Sequence, residues 1–157
     1  MKEQIRLKLN GKSQSVEVDP NEPFLYVLRS DLELNGPRFG CGLQQCGSCM
    51  VLVDDIAEPT CIKPVSEFKN KKLETIEGLE KDGKLHPIQK AFIEEQAAQC
   101  GYCLNGMLIS AVALLRKNPN PSEAEIKEAL NPVICRCGTH SRFIKAVKRA
   151  ANSSETF

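Results

Sequence analysis

Tryptophan is absent from this 157-residue chain, and aromatic residues of any kind make up only 5% of it. No obvious aromatic binding platform is therefore written into it. Neither sign of charge dominates, since the formal net charge is +1, which gives no basis for a nucleic-acid or membrane-surface partner. No apolar run approaches the roughly 20 residues of a membrane-spanning helix, so no direct membrane insertion is expected. The opening stretch, MKEQIRLKLNGK, alternates polar and apolar residues. It lacks the charged start, apolar stretch and small-residue cleavage site of a signal peptide, and a cytoplasmic location is expected. Internal repeats and low-complexity tracts are also missing. So is any convincing nucleophile–base pair, which argues against bond chemistry by this chain alone. With 41% apolar residues, a packed core is affordable and disorder is not expected.

What the chain has in excess is cysteine. Eight occur, grouped as CGLQQCGSC at 41–49 with Cys61 beyond it, CGYC at 100–103 and CRC at 135–137. Disulfides would be out of place in a chain of this size that shows no export signal. Cysteines serving as small buried hydrophobes would be scattered rather than run together. The clustering points to metal.

The surrounding pattern places these groups. Ile5, Leu7 and Leu9 alternate with charged residues as a strand, Asn10-Gly11 is a hairpin turn, and Val16 and Val18 alternate on the return strand. Pro23 opens a short helix with Phe24, Leu25, Val27 and Leu28 on its apolar face. A glycine-rich loop carries Cys41, Cys46 and Cys49. MVLVD at 50–54 reads as a buried strand, Asp54-Asp55 as its turn, and KKLETIEG as one more strand. GLEKDGK at 78–84 is the natural linker. Beyond it the period becomes helical, with HPIQKAFIEEQAAQ, the mostly apolar GMLISAVALLRK, IKEAL behind a Ser122/Glu125 capping box, and SRFIKAVKRA. Asn131-Pro132 ends the third of these. The expected fold class is α+β, with residues 1–78 as one unit and residues 79–157 as a four-helix bundle.

The first cysteine set is Cys41, Cys46, Cys49 and Cys61. C-x4-C-x2-C followed by a distant Cys is the plant-type spacing for a [2Fe–2S] cluster. A loop wrapped around the cluster can supply three thiolates at short intervals, and a neighbouring strand the fourth. Gly40, Gly42 and Gly47 let the backbone approach and aim N–H groups at sulfur. Zinc more commonly uses paired C-x2-C knuckles. The second set is Cys100, Cys103, Cys135 and Cys137. Taken alone, it suits either zinc or a [2Fe–2S] cluster. A thioredoxin-like role for CGYC does not fit its place between two helical segments. The plant-type set beside it favours a second [2Fe–2S] cluster.

Together, FGCGLQQCGSC with Cys61 and QCGYCLNGM with the later CRC resemble the small iron–sulfur subunits of the molybdenum hydroxylases, the xanthine oxidase family. The resemblance covers essentially the whole chain. It implies a plant-type ferredoxin-like (β-grasp) domain followed by a helical domain, each with one [2Fe–2S] cluster. It also implies a large partner subunit carrying a molybdenum–pterin cofactor, where an N-heterocycle or aldehyde is oxidised. Electrons would leave through the two clusters, the C-terminal one lying nearer molybdenum, to a cytochrome c or flavin subunit or another acceptor. By motif match, Gln99 and Cys137 would touch the pterin. Many family members read CRCTGY, whereas Cys-Arg-Cys-Gly-Thr-His here looks more like the isoquinoline 1-oxidoreductase and nicotinate dehydrogenase type, in which cytochrome c often replaces flavin. Export of the folded complex on a partner's signal would then move it out of the cytoplasm. A free-standing ferredoxin-type carrier and a zinc-stabilised interaction module are the alternatives.

Four other features carry weaker expectations. His86, ahead of Pro87, reads as a helix cap. His140 lies close enough to Cys137 for a place beside the cluster. Arg136, between two ligands, could offset the anionic cluster or meet a pterin phosphate. Arg142, Lys145, Lys148 and Arg149 form a basic helix face, more often solvated than used for docking.

Overall fold

The structure is a computed structural model that describes residues 1–153. Its first hairpin follows from local chemistry. Strands β1 (Glu3–Leu9) and β2 (Lys12–Val18) pair antiparallel around Asn10 and Gly11. Both turn residues have positive φ, 51° and 75°, as a two-residue turn between right-twisted strands requires. Ile5, Leu7, Leu9, Val16 and Val18 are buried and the alternate residues are not.

After Pro23 the chain makes helix α1 (Phe24–Tyr26), which widens into a π turn over Val27–Asp31. The cysteine loop follows, then β3 (Met50–Val53), a turn at Asp54-Asp55 and β4 (Ile56–Pro59). β4 is an element that the sequence pattern does not announce. KKLETIEG forms a shorter strand than its pattern implies. β5 covers Lys72–Glu74, and a 3-10 turn takes Ile76–Gly78. The five strands form one mixed sheet in the order β2-β1-β5-β3-β4, with β1 and β5 parallel.

β3 explains why MVLV is continuously apolar. Val51 and Val53 join Ile5, Leu7, Phe24 and Phe68 in one apolar cluster, while Met50 and Leu52 face another built from the helices. A strand covered on both faces has no polar side to alternate with. The segment at 78–84 does more than link. Leu79 is buried in the helical cluster, and Lys81 and Lys84 close a tight turn.

Four helices follow: α2 (Pro87–Glu94), α3 (Leu104–Lys117), α4 (Glu123–Leu130) and α5 (His140–Ala151). α3 is buried on most sides, as its composition implies. His86 caps α2. Its Nδ1 accepts from the Ile88 N–H, and the Gln89 side chain accepts from the His86 N–H. Ser122 and Glu125 form the reciprocal box at α4. The fold class is α+β. Among the described residues, no helix is long and apolar enough to cross a membrane.

Candidate metal centres

The first cysteine set lies on the loop between α1 and β3, with Cys61 just past β4. Five backbone N–H groups point at its four sulfurs. Those of Leu43 and Gln45 donate to Cys41 Sγ at 3.3 and 3.2 Å. Cys46 Sγ accepts from Cys41 N at 3.3 Å, Cys61 Sγ from Gln44 N at 3.4 Å, and Cys49 Sγ from Thr60 N at 3.3 Å. The loop closes so tightly that a Cβ at Gly40 would stand 2.6 Å from Cys46 Sγ. Donors aimed inward at sulfur suit an anionic iron–sulfur group, because thiolates and bridging sulfides need such partners when water is excluded. Burial raises the Cys41 thiol, but the N–H groups of Leu43 and Gln45 outweigh it and hold the pKa down to about 7. Burial pushes Cys49 up to about 11, so only a nearby cation makes it a thiolate.

The second set sits where helices begin. Cys100 and Cys103 occupy the turn into α3, with Cys103 at its N-cap, and Cys135 and Cys137 lie between α4 and α5. Cys137 and Cys100 sulfurs are 3.4 Å apart. Cys103 interacts with Cys135, whose Sγ is 3.8 Å from Thr139 Oγ1. Cys100 is held below the usual thiol range, first by the Tyr102 N–H and then by Cys137. Burial pushes Cys103 up to about 12. Two helix N-termini add favourable dipoles for negative charge.

Across both sets the thiols meet in pairs: Cys41 with Cys46, Cys49 with Cys61, Cys100 with Cys137, and Cys103 with Cys135. Two irons, each completed by bridging sulfides, need two thiolates apiece. A single zinc ion needs three or four donors around one point. Among the described residues, no three His, Cys, Asp or Glu side chains converge that way.

Five hydrogen bonds bring the sets together. The Ile134 N–H, next to Cys135, donates to the Cys46 carbonyl at 3.0 Å. Buried Asn105, the second residue of α3, donates to the carbonyls of Ser48 and Met50 at 3.0 and 2.8 Å. Arg38 donates through Nη1 to the Gly101 carbonyl at 2.8 Å, and Tyr102 OH donates to the Phe39 carbonyl. At the contact Gly47 has φ +73°, and a Cβ there would meet the Pro132 carbonyl at 2.9 Å.

Gln99 and Arg136 are exposed beside the second set, together with Tyr102 and Ile134. His140 begins α5 and meets the Phe143 ring edge-on at 6.0 Å. Most of the basic face turns out to be internal bracing. Arg149 pairs with Glu94 and Glu95, Lys148 with Glu123, and Arg142 donates to the Gln96 carbonyl. Arg38, Tyr102, Asn105 and Ile134 escape sequence reasoning. The available signal was only proximity to cysteines, since Tyr102 lies inside CGYC and Arg38 three residues before Cys41.

Comparison with known proteins bears on this geometry. Residues 7–74 match the family model for a 2Fe-2S iron-sulfur cluster binding domain, and residues 75–148 that for a [2Fe-2S] binding domain. The chain is 46% identical to a nicotinate dehydrogenase subunit of Pseudomonas putida, over 98% of each chain. It is 45% identical to the alpha subunit of isoquinoline 1-oxidoreductase from Brevundimonas diminuta, over 96% of this chain and 99% of that one. Among solved structures, quinoline 2-oxidoreductase from Pseudomonas putida 86 superposes with a TM-score of 0.91 at 33% identity, covering 96% of this chain and 94% of the other. The aldehyde oxidoreductase of Desulfovibrio desulfuricans gives a TM-score of 0.90 at 38% identity, over 95% of this chain but only 17% of that much longer one.

Proposed function

Because the chain belongs to the small iron–sulfur subunits of the molybdenum hydroxylase family, we propose that its eight cysteines form a two-station relay between a partner's molybdenum–pterin site and an outside acceptor. When bound, the two [2Fe–2S] clusters supply one-electron transfer. Cys41, Cys46, Cys49 and Cys61 hold the first. Cys100, Cys103, Cys135 and Cys137 hold the second. The boundary between the domains is set at residues 78 and 79, in keeping with the two apolar clusters that share β3.

The observation that carries this reading is the hydrogen bond from Ile134 N to Cys46 O. It joins the residue before one second-set ligand to a first-set ligand by backbone alone. Electrons thus have a route that is covalent except for one short step. Exposure gives the route its ends. Gln99 and Cys100 are exposed and Cys137 half-buried, which leaves the second set for a large partner subunit to cover, with Gln99 and Cys137 toward the pterin. The first set then serves an acceptor on a cytochrome c or flavin subunit. A free-standing carrier has no use for the exposed second set. The substrate, an N-heterocycle or aldehyde by the names of the relatives, is oxidised on the partner chain.

The test separates positioning from assembly. Gln99→Ala removes no thiol, so both clusters should form and dithionite should reduce them normally. Reduction by substrate in the native complex should slow. Unchanged substrate-driven reduction would remove Gln99 from the pterin contact. Reversal of the order of reduction, seen by rapid-freeze EPR, would overturn the direction.

A further inference from the structure

Arg38 stands between the two cysteine sets. Its backbone N–H donates to the carbonyl of Ser48, the residue before Cys49, at 3.0 Å. Its guanidinium donates to the carbonyl of Gly101, between Cys100 and Cys103, at 2.8 Å. It also lies over the Tyr102 ring, 5.5 Å from the centroid. Tyr102 completes the clasp by donating back to the Phe39 carbonyl. Arg29 steadies the approach, with Nη1 on the carbonyls of Asn35 and Pro37 at 3.2 and 2.8 Å.

The charge of Arg38 has no obvious use in the fold. It is half-buried, yet among the described residues no carboxylate lies within ion-pair distance of it. Arg116, Lys148 and Arg149 all have such partners. A carbonyl and an aromatic face attract a guanidinium but do not neutralise it. A partly desolvated cation without a counter-ion is costly, unless negative charge is supplied by something the polypeptide does not itself provide. Each one-electron reduction adds a negative charge to an already anionic four-thiolate cluster. A nearby fixed cation stabilises the reduced form more than the oxidised one, and local charge is one of the protein's main controls on cluster potential.

We propose that Arg38, its backbone held on the first cysteine loop and its guanidinium on the second, is a shared counter-charge that raises the midpoint potential of both clusters. This rests on the ligand assignment above. It also explains why the residue reaches across to Gly101 instead of pairing with a carboxylate of its own. Arg136 makes the contrast, because it is exposed and sits within the second set alone.

An EPR-monitored redox titration of the native complex tests it. Arg38→Gln keeps a donor for Gly101 but removes the charge, and should move both midpoint potentials to more negative values while both signals persist. Arg38→Lys should leave both near the wild-type values. Tyr102→Phe loosens the clasp without touching charge and should also leave both in place. Arg136→Gln should move the second-set signal alone. Should Arg38→Gln lose iron, Arg38→Met retains the aliphatic stem over Tyr102 and carries the same expectation. If either potential stays put when the charge is removed, or if Arg38→Lys shifts both as far as Arg38→Gln does, the shared counter-charge is wrong. Signals that do not divide between the two cysteine sets would instead overturn the ligand assignment.

Discussion

Gly106→Ala tests whether the close approach of α3 to the first cysteine loop matters. A Cβ at Gly106 would lie 2.4 Å from the Gly47 carbonyl oxygen, 3.0 Å from its carbon and 2.9 Å from Val133 Cγ1. Backbone oxygen cannot swing aside as a flexible side chain can, so helix and loop must part by the better part of an ångström. Overfilling a packed site costs about 1–3 kcal/mol. Stretching the Ile134–Cys46 hydrogen bond forfeits about 1 kcal/mol more, and the higher helix propensity of alanine returns about 1 kcal/mol. The net loss is about 1–3 kcal/mol, which for a chain of this size lowers the thermal midpoint by roughly 2–12 °C. Calorimetry of the iron-loaded protein at one scan rate measures it. Rapid-freeze EPR of the same variant should show slower equilibration between the two cluster signals, because the backbone bridge is the part displaced. A variant as stable as wild type, with electron exchange unchanged, would show that the contact yields without cost and that the bridge does not carry the electron.

Two further outcomes follow from the same geometry. Cys41→Ser should abolish one of two distinguishable rhombic EPR signals and leave the other, since no second-set thiol touches Cys41; loss of both signals would refute separate sites. Glu123 is exposed and held down to about 2, first by Lys127 and then by Lys148. A depressed carboxylate stabilises the fold above its ordinary value of 4.5 and loses that contribution as pH falls towards about 2. Glu123→Gln should therefore flatten the decline in urea midpoint over that window, and an unchanged decline would show that the Glu123–Lys127 and Glu123–Lys148 ion pairs contribute nothing.

Features set by neighbours along the chain were legible in the sequence. Asn10-Gly11, the Ser122/Glu125 box and the His86 cap are each complete within a few residues, so local chemistry suffices to place them. The same holds for the plant-type spacing, because three thiolates around one cluster must come from one short loop. Covering both faces of a strand leaves a trace as well, and MVLV reads as buried for that reason.

What only the tertiary structure decided depends on residues far apart in the chain. The Ile134–Cys46 bond spans 88 positions and the Arg38–Gly101 contact 63. No period or motif links either pair, because the first is a backbone hydrogen bond with no side-chain signature and the second ends on a backbone carbonyl. The parallel pairing of β1 with β5 has no turn to announce it, and β4 is too short and too mixed to show alternation. Composition and spacing therefore determined that this chain holds eight cysteines in two sets. Folding decided that the thiols meet in pairs, that the two sets share a backbone bridge, and that a half-buried arginine with no carboxylate partner among the described residues lies between them. The physical reason is that ligand count is a property of residues, whereas proximity and uncompensated charge are properties of the space between elements.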